Sequence, residues 1–229
     1  MNTIFITGAN RGLGLEMTRQ YLEIGWRVIA TCRNASHANK LIQLATNPNL
    51  RIIPLEVTNE KDIHALTQQL KNEKIDILMN NAGIIGGYHT KLGEITQDEC
   101  LQTITINAIS PLLIAQVLIN QVANSEKKII ANMSSSSGSI TDNTEGGHYS
   151  YNASKSALNA VTKSLAIDLQ PKNIIVVSLD PGWVKTDLGG EHADLDVEES
   201  VTAMRNLLSR LTLKDSGTFI RYDGKMMAW

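Results

Sequence analysis

Short apolar runs alternate with longer helical patterns along the chain, and this alternation restricts its fold more than any other feature. Strands with intervening helices form βαβ units, which place a parallel sheet between two layers of helices. The sequence therefore predicts an α/β fold, a single-domain Rossmann fold over residues 1–229 with a doubly wound parallel sheet of about seven strands and helices on both faces. The runs that read as strands are Thr3–Thr7, Trp26–Cys32, Leu50–Val57, Ile75–Met79, Lys128–Met133, Ile174–Leu179 and Gly217–Tyr222.

The helical patterns begin behind a glycine-rich turn and continue between the later strands. They cover the residues after Gly14, then Ser36–Thr46, Asp62–Leu70, Thr96–Val122, Tyr151–Gln170 and Val197–Ser209. Pro111 interrupts the pattern over Thr96–Val122. Because proline cannot donate to a helix ladder, it should start a new helix or kink the old one. Asn107 lies just before this break, where a freed backbone carbonyl can take part in chemistry.

Residues suited to ligand binding lie at the carboxyl ends of the predicted strands. They are Gly8, Arg33, Glu56, Asn81, Ser135 and Pro181. Open parallel sheets bind ligands beyond the carboxyl ends of their strands, at the point where the strand order reverses. This placement predicts a dinucleotide-dependent enzyme.

The turn from Gly8 to Gly14 connects the first strand to the first helix. Its spacing is G-x-x-x-G-x-G, whereas the general dinucleotide fingerprint is G-x-G-x-x-G. Glycines let the backbone approach a pyrophosphate, and the following helix N-terminus offers amides and the positive end of its dipole. We interpret the turn as a pyrophosphate-binding loop. The alternative is a tight turn that needs glycine only for its backbone conformation.

Two arginines indicate which dinucleotide is bound. Arg33 closes the second strand, where enzymes that use NAD often carry an acid for the ribose 2′-hydroxyl, and Arg11 lies inside the glycine turn. Guanidinium groups suit a 2′-phosphate. The pair therefore predicts NADP(H) as the cofactor, with two solvated arginines as the alternative.

Tyr151 and Lys155 lie one helical turn apart at the head of a long helical pattern. Residues at i and i+4 share a helix face, and a neighbouring ammonium favours the phenolate and lowers the pKa of a tyrosine from its ordinary value of about 10. A serine run upstream supplies hydroxyls that can hold a carbonyl oxygen. We interpret this pattern as a general acid. An amphipathic helix with a chance tyrosine and lysine is the alternative.

Charge and cysteine content exclude other classes. The net charge of −2 gives no reason to expect a nucleic-acid or anionic-membrane partner. Cys32 and Cys100 lack metal-ligand spacing and suit free thiols in a reducing cytosol, so no metal site is predicted. The N-terminus lacks a basic signal-peptide region, and no apolar run is expected to approach the ~20 residues of a membrane span. We therefore expect a cytoplasmic protein.

Taken together and in order, several motifs resemble those of the short-chain dehydrogenase/reductase superfamily over essentially the whole chain. They are TGANRGLG at residues 7–14, NNAG at 80–83, Asn107, the serines at 134–135, YNASK at 151–155 and PGWVKT at 181–186. The nearest branch resembles the C-factor and sniffer-type carbonyl reductases, through GSITDNTEGGHYSY, PGWVKTDLGG and the ending LTLKDSGTFIRYDGKMMAW.

The resemblance implies a catalytic set. Tyr151 is the expected acid/base, Lys155 lowers its pKa and holds the nicotinamide ribose, Ser135 binds the substrate carbonyl and Asn107 anchors a water in the proton relay. Ser136, Ser137 and Ser139 remain alternatives to Ser135. The expected cofactor-binding residues are Gly8, Asn10, Arg11, Gly12, Leu13, Gly14, Arg33, Glu56, Val57, Asn81, Ala82, Gly83, Tyr151, Lys155, Pro181, Gly182, Val184 and Thr186. Asp180 stands where the family often has an uncharged or imidazole side chain, and the sequence assigns it no role.

The implied function is NADPH-dependent reduction of a small aldehyde or ketone to an alcohol. The alternative is a dinucleotide-binding C-factor-like signalling or regulatory protein with incidental turnover. A homodimer or homotetramer is also expected, formed through the helices that begin near Cys100 and Tyr151, because the second of these is apolar on more than one face.

Overall fold

The computed structural model describes residues 1–87 and 91–229. Its strands are β1 (Thr3–Ile6), β2 (Arg27–Cys32), β3 (Leu50–Pro54), β4 (Ile77–Asn80), β5 (Ile129–Met133), β6 (Ile175–Asp180) and β7 (Thr218–Arg221). Its α-helices are α1 (Gly12–Glu23), α2 (Asn39–Leu44), α3 (Glu60–Gln69), α4 (Gln97–Ile104), α5 (Ser110–Ala123), α6 (Tyr149–Asp168) and α7 (Val197–Arg210).

The described strands form one parallel sheet in the order β3-β2-β1-β4-β5-β6-β7. The order reverses between β1 and β4, where Ile4 pairs with Ile77. Connections therefore run to opposite faces on the two sides of this point, and a crevice opens above the carboxyl ends of β1 and β4. The predicted doubly wound sheet of seven parallel strands is confirmed.

Side chains alternate along each strand, so the sheet buries apolar groups on both faces. On β1, Ile4 and Ile6 join one core cluster and Phe5 joins the other. Met17 of α1 and Met204 of α7 complete the first cluster. Helices on the opposite face contribute Ile63, Leu66, Ile114, Leu118 and Leu165 to the second.

Two helical patterns are divided in the structure. The pattern predicted over Ser36–Thr46 splits into a 3₁₀ turn, Ala35–His37, and α2. The pattern over Thr96–Val122 contains a π-helical turn, Thr105–Ile109, directly before α5. Pro111 thus lies at the start of a new helix, as predicted. The π turn directly before this helix takes up the change in the backbone hydrogen-bonding pattern.

The helical stretch Gln97–Ala123 corrects one expectation. It has 27 residues and is long and apolar enough to cross a membrane by length and composition, although no such run was expected. In the fold, Ile114, Leu118 and Val122 of this stretch are buried in the core cluster on one face of the sheet. This packing accounts for the apolar composition, because a helix with a wide apolar surface needs cover on several sides.

Asp76 joins the amino ends of three neighbouring strands. Its carboxylate accepts a hydrogen bond from the Thr3 amide at 2.8 Å and from the amides of Glu126 and Lys127 at 3.2 Å each. The residue is only 4% exposed. The Asp76 carboxylate therefore satisfies backbone donors next to β1 and β5. It ties these strands together at the edge of the sheet opposite the crevice.

We predict that Asp76→Ala lowers the free energy of unfolding by about 2–4 kcal/mol, because one buried and two partly buried amides lose a charged acceptor. Asp76→Asn should lie between this variant and the wild type, since an amide oxygen can still accept the two bonds from the β5 side. Denaturant unfolding of all three proteins measures the effect. Equal stability of the three would show that water replaces the carboxylate without loss.

Candidate active site

The residues singled out by the sequence converge at one edge of the sheet. β1, β2, β4, β5 and β6 end directly before the glycine turn, Arg33, Asn81, the serine run and Pro181. The carboxyl ends of parallel strands lie at the same edge, so these residues surround the crevice where the strand order reverses. The predicted strand-end placement is confirmed.

The glycine turn packs closely against the segment that follows β4. Gly8 has a φ of +67°, and a Cβ at this position would lie 2.9 Å from the Cα of Ala82. A Cβ on Gly14 would collide with the Gly8 carbonyl oxygen and the Asn81 side chain. Gly12 opens α1 and faces Thr186. Glycine is therefore required for close approach and not only for the turn.

Thr7 fixes this packing and was not included among the predicted site residues. Its hydroxyl oxygen accepts hydrogen bonds from the amides of Asn81 and Ala82, both at 2.9 Å. The Asn81 side chain donates to the Thr7 carbonyl at 2.8 Å. The signal available in the sequence was its position directly before Gly8, where a short hydroxyl can bridge neighbouring strand ends.

The Ser135 hydroxyl faces the Tyr151 phenol closely enough to lower its pKa. The Ser135 hydroxyl also accepts a bond from the Ser137 amide at 3.2 Å and so caps the 3₁₀ turn Ser136–Gly138. Ser139 bonds instead to the Trp229 carbonyl. Among the serines left open by the sequence, Ser135 is the one that acts on the pKa of Tyr151.

Lys155 lies beneath this pair in a closely packed environment. Its Nζ donates to the Met133 carbonyl oxygen at 2.7 Å and is 5.6 Å from the centre of the Tyr151 ring. The side chain is only 5% exposed. Gly138 makes this possible, because a Cβ there would lie 2.9 Å from the Cβ of Lys155. A buried ammonium is thus held close to the phenol.

Burial changes both pKa values in the ligand-free protein. It raises the pKa of Tyr151 to about 12, although the Ser135 hydroxyl acts in the opposite direction, and it lowers the pKa of Lys155 to about 8. The expectation that Lys155 lowers the tyrosine pKa is therefore wrong for this state. At the pH where the phenol would ionise, the lysine has already lost its charge and offers no attraction to a phenolate.

Asn107 lies in the π turn and is almost fully buried. Its amide nitrogen donates to the Ile84 carbonyl at 2.7 Å and to the Ser154 hydroxyl at 2.9 Å, while its side-chain oxygen accepts from the Ile84 amide. Ser154 in turn donates to the Tyr151 carbonyl. The sequence did not single out Ser154, although it lies inside the YNASK motif.

Pro111 cannot donate a hydrogen bond to the backbone carbonyl of Asn107, four residues earlier, because proline has no N–H. Gly83 lies beside the Asn107 side chain: a Cβ there would be 3.2 Å from Asn107 Oδ1 and 3.6 Å from Lys155 Nζ. The structure therefore brings Gly83, Asn107 and Lys155 into one cluster below the crevice.

The two arginines lie at the surface in separate ion pairs. Arg11 Nη1 is 2.7 Å from Asp187, and Arg33 Nε is 4.0 Å from Glu56. Their side chains are 65% and 76% exposed. Exposed ion pairs of this kind are worth about 0–1 kcal/mol, so either guanidinium can exchange its carboxylate for a stronger anion.

The remaining predicted residues frame the crevice. Asn10 is exposed, Leu13 packs against the core, and Val57 is buried in the cluster on one sheet face. Val184 is buried and forms an isolated bridge with Leu195. The Pro181 carbonyl accepts a bond from Ser200, which ties the turn at residues 181–186 to α7.

Two cavities lie next to the serine turn. One, of about 360 Å³, is lined by Tyr149 and Ile140 among others. The other, of about 320 Å³, is lined by Ser136, Asp180, Trp183, Arg221 and Tyr222 among others. Trp183 is 55% exposed and donates its ring N–H to the Gly189 carbonyl at 2.7 Å.

Comparisons with known proteins agree with this geometry. The family model described as short chain dehydrogenase matches residues 2–195. The C-signal protein of Myxococcus xanthus is 37% identical over 155 residues, which are 68% of this chain and 93% of the relative. The structure of the carbonyl reductase Sniffer of D. melanogaster is 39% identical with a TM-score of 0.95 and full coverage of both chains. The NADPH-bound carbonyl reductase from chicken fatty liver is 37% identical with a TM-score of 0.92, covering 100% of this chain and 99% of that one.

The burial of Lys155 predicts a stability that depends on pH. Its folded-state pKa of about 8 lies below the ordinary value of 10.5, so between these values the unfolded chain binds more protons and the free energy of unfolding rises with pH. Below about pH 8 the full cost of the buried charge is present. Lys155→Met should therefore be more stable than the wild type by ~2–3 kcal/mol at pH 7, with the difference shrinking toward pH 10.5.

Denaturant unfolding at a series of pH values measures this difference. Lys163→Met is the matched control, because Lys163 lies on the same helix and donates to a carbonyl, that of Gly217, but is exposed. Its difference from the wild type should not change with pH. A Lys155→Met protein whose stability follows pH in parallel with the wild type would contradict the prediction.

Proposed function

Since this chain belongs to the short-chain dehydrogenase family, an oxidoreductase family, we propose that it is a carbonyl reductase that uses NADPH to convert a small aldehyde or ketone to an alcohol. The observation that carries the proposal is the placement of the Ser135 hydroxyl and the buried Lys155 ammonium next to the Tyr151 phenol. A protein that only binds a dinucleotide does not need a hydroxyl pair next to an ammonium. The carbonyl reductases similar in structure over the whole chain support the same reaction class.

The residues present fit a bound dinucleotide. Glycines at positions 8, 12 and 14 keep the turn free of side chains, and α1 begins there without a side-chain cap for its first amides. Such a turn and helix N-terminus suit a pyrophosphate. Lys155 has three donor hydrogens and uses one on the Met133 carbonyl, which leaves donors for the nicotinamide ribose. When bound, NADPH supplies the hydride that reaches the carbonyl carbon.

Ser135 and Tyr151 then act on the carbonyl oxygen. The Ser135 hydroxyl donates a hydrogen bond to this oxygen and holds it next to the phenol. Tyr151 Oη donates its proton to the same oxygen as negative charge develops there. Because the pKa of Tyr151 is about 12 in the free protein, the phenol carries its proton throughout the physiological pH range.

Lys155 and Asn107 support the proton transfer. At neutral pH Lys155 is largely protonated and stabilises the negative charge left on Tyr151 Oη after it donates. The Asn107 carbonyl, to which Pro111 cannot donate, would hold a water that returns a proton toward Lys155. The bonds from Asn107 to Ile84 and Ser154 keep this carbonyl in place.

NADP(H) is the proposed cofactor because Arg11 and Arg33 follow β1 and β2 at the carboxyl edge of the sheet, where a 2′-phosphate would bind. Within the described residues, Arg11 pairs with the exposed Asp187 and Arg33 with the partly exposed Glu56. A charge-assisted hydrogen bond to phosphate is worth about 1.5–3 kcal/mol, more than an exposed ion pair. Exchange of Asp187 and Glu56 for the phosphate is therefore favourable.

A second candidate function follows from the similarity to the C-signal protein of Myxococcus xanthus. On this view the chain is a dinucleotide-binding signalling or regulatory protein with incidental turnover. NADPH oxidation with a panel of aldehydes and ketones separates the two functions. Steady turnover with any small carbonyl supports the reductase, whereas tight NADPH binding without turnover supports the signalling role. Self-association through α4 and α6 and a cytoplasmic location remain predictions.

We predict that Tyr151→Phe lowers the rate of carbonyl reduction by roughly 10²–10⁴-fold, because a positioned acid contributes that much. NADPH affinity should be retained, since only the hydroxyl is lost. Tyr149→Phe removes a hydroxyl two residues earlier on the same helix and is the matched control. Steady-state rates and cofactor titration measure both effects. A Tyr151→Phe enzyme as fast as the control would contradict the role of the phenol.

We predict that Arg33→Ala weakens NADPH binding by roughly ten- to a hundredfold, as expected for one lost arginine–phosphate bond. NADH binding should change little because NADH has no 2′-phosphate. Arg51→Ala is the control: Arg51 lies near the start of β3 and pairs with Glu73, away from the carboxyl ends of the strands. Titration of both cofactors gives the comparison. Equal weakening of NADPH and NADH by Arg33→Ala would show that Arg33 does not bind the phosphate.

A further inference from the structure

Asp180 is a buried acid that the reaction described above does not use. It ends β6 and is only 3% exposed. A carboxylate at this depth is costly unless hydrogen bonds and nearby charges compensate for lost water. The contacts of Asp180 therefore indicate what the fold gains from an acid at this position.

Two different turns meet at the carboxylate of Asp180. The Gly182 amide donates to Oδ1 at 3.2 Å, and the Ser136 amide faces the same carboxylate closely enough to lower its pKa. Ser136, Asp180 and Gly182 line one cavity. Ser136 directly follows Ser135, which holds the substrate oxygen in the proposed reaction. Gly182 belongs to the turn at residues 181–186, where the nicotinamide is expected. One side chain thus connects the two turns whose separation sets the distance between substrate and cofactor.

Among the described residues, none on β7 or in the turn after it donates a hydrogen bond to the Asp180 carboxylate. Arg221 is the register partner of Asp180, but its guanidinium makes two hydrogen bonds to Asp223. The Asp180 carbonyl accepts from the Tyr222 amide at 2.7 Å. A Cβ on Gly182 would lie 2.8 Å from the Tyr222 ring, so this turn has little room to move.

We propose that Asp180 is a positioning residue whose carboxylate fixes the serine turn relative to the turn at residues 181–186. The proposal rests on the proposed reductase function, because the distance that it sets matters for hydride transfer. Displacement of a reacting group by ~1 Å can cost about a hundredfold in rate. The Gly182 bond and the facing Ser136 amide hold both turns against one buried carboxylate without placing a further side chain in the crevice.

The charge of Asp180 has a second consequence. Burial raises the pKa of Tyr151 most, the Ser135 hydroxyl lowers it, and the negative charge of Asp180 raises it further. Lys155 on α6 faces the same ring, and Arg221 and Asp223 act on Asp180 with opposite signs. Removal of the Asp180 charge should therefore make the Tyr151 phenol more acidic.

Two variants separate the effect of the Ser136 amide from the effect of the Asp180 charge. Ser136→Pro removes the amide donor and keeps the acid. Proline suits this position because Ser136 opens a 3₁₀ turn and Ser135 is extended, with φ −164° and ψ 153°. Asp180→Asn removes the charge and keeps the shape. Asp194→Asn is the control, since it removes an exposed carboxylate from the same cavity.

The experiment measures kcat and KM for carbonyl reduction and the ionisation of residue 151. A fluorinated tyrosine, whose phenol is more acidic than that of tyrosine, placed at position 151 lets absorbance follow the ionisation. We expect kcat to fall about tenfold or more in Ser136→Pro and Asp180→Asn with little change in KM. The phenol should ionise at lower pH in Asp180→Asn only. Asp194→Asn should resemble the wild type in both measurements.

The proposal is overturned if folded Ser136→Pro keeps kcat within about twofold of the wild type. Should Asp180→Asn fail to fold, Ser136→Pro alone decides the positioning role. An unmoved ionisation in folded Asp180→Asn removes the electrostatic role. If the wild type reduces no carbonyl, the proposed function fails, and the absorbance titration still decides whether Asp180 acts on Tyr151.

Discussion

The burial of the Lys155 ammonium is the constraint on which the active-site end of this structure depends. A charge removed from water destabilises the fold unless it gains other partners. Here the partner is the Met133 carbonyl at the end of β5, and the lysine reaches it only because Gly138 lets α6 approach the serine turn. Gly83 leaves space on the other side of the ammonium. The fold thus accepts a local cost in order to hold a cation 5.6 Å from the Tyr151 ring.

Such close packing requires α6 to keep one register on the sheet, and buried polar bonds supply it. Asn80 at the end of β4 donates to Asn132 on β5 at 2.8 Å, and Asn132 donates to Thr162 on α6 at 2.9 Å. Ser178 on β6 donates to the same Thr162 hydroxyl. Apolar contacts tolerate a helix that slides, whereas these directional bonds form in one register only. This network therefore fixes the positions of Tyr151 and Lys155 relative to the sheet.

The sequence predicted the fold and the location of the site because both depend on local patterns. Strand ends carry Gly8, Asn81 and Ser135, and the parallel topology then brings them to one edge. It could not predict the π turn at Thr105–Ile109, since a single extra residue in a helix leaves the apolar pattern almost unchanged. The links through Thr7 and Asp180 were also hidden, because their partners are backbone amides, which every residue type supplies.

The largest correction concerns the proton on Tyr151, and it changes how the pair works. From the sequence, Lys155 was expected to make the phenol more acidic in the resting protein. In the structure, burial disfavours the phenolate and the ammonium alike, so the free site holds a neutral phenol and a readily deprotonated lysine. In the proposed reaction, the lysine would therefore act when charge develops on Tyr151 Oη during proton donation. An interaction that is stronger in the transition state than in the resting state is one that accelerates a reaction.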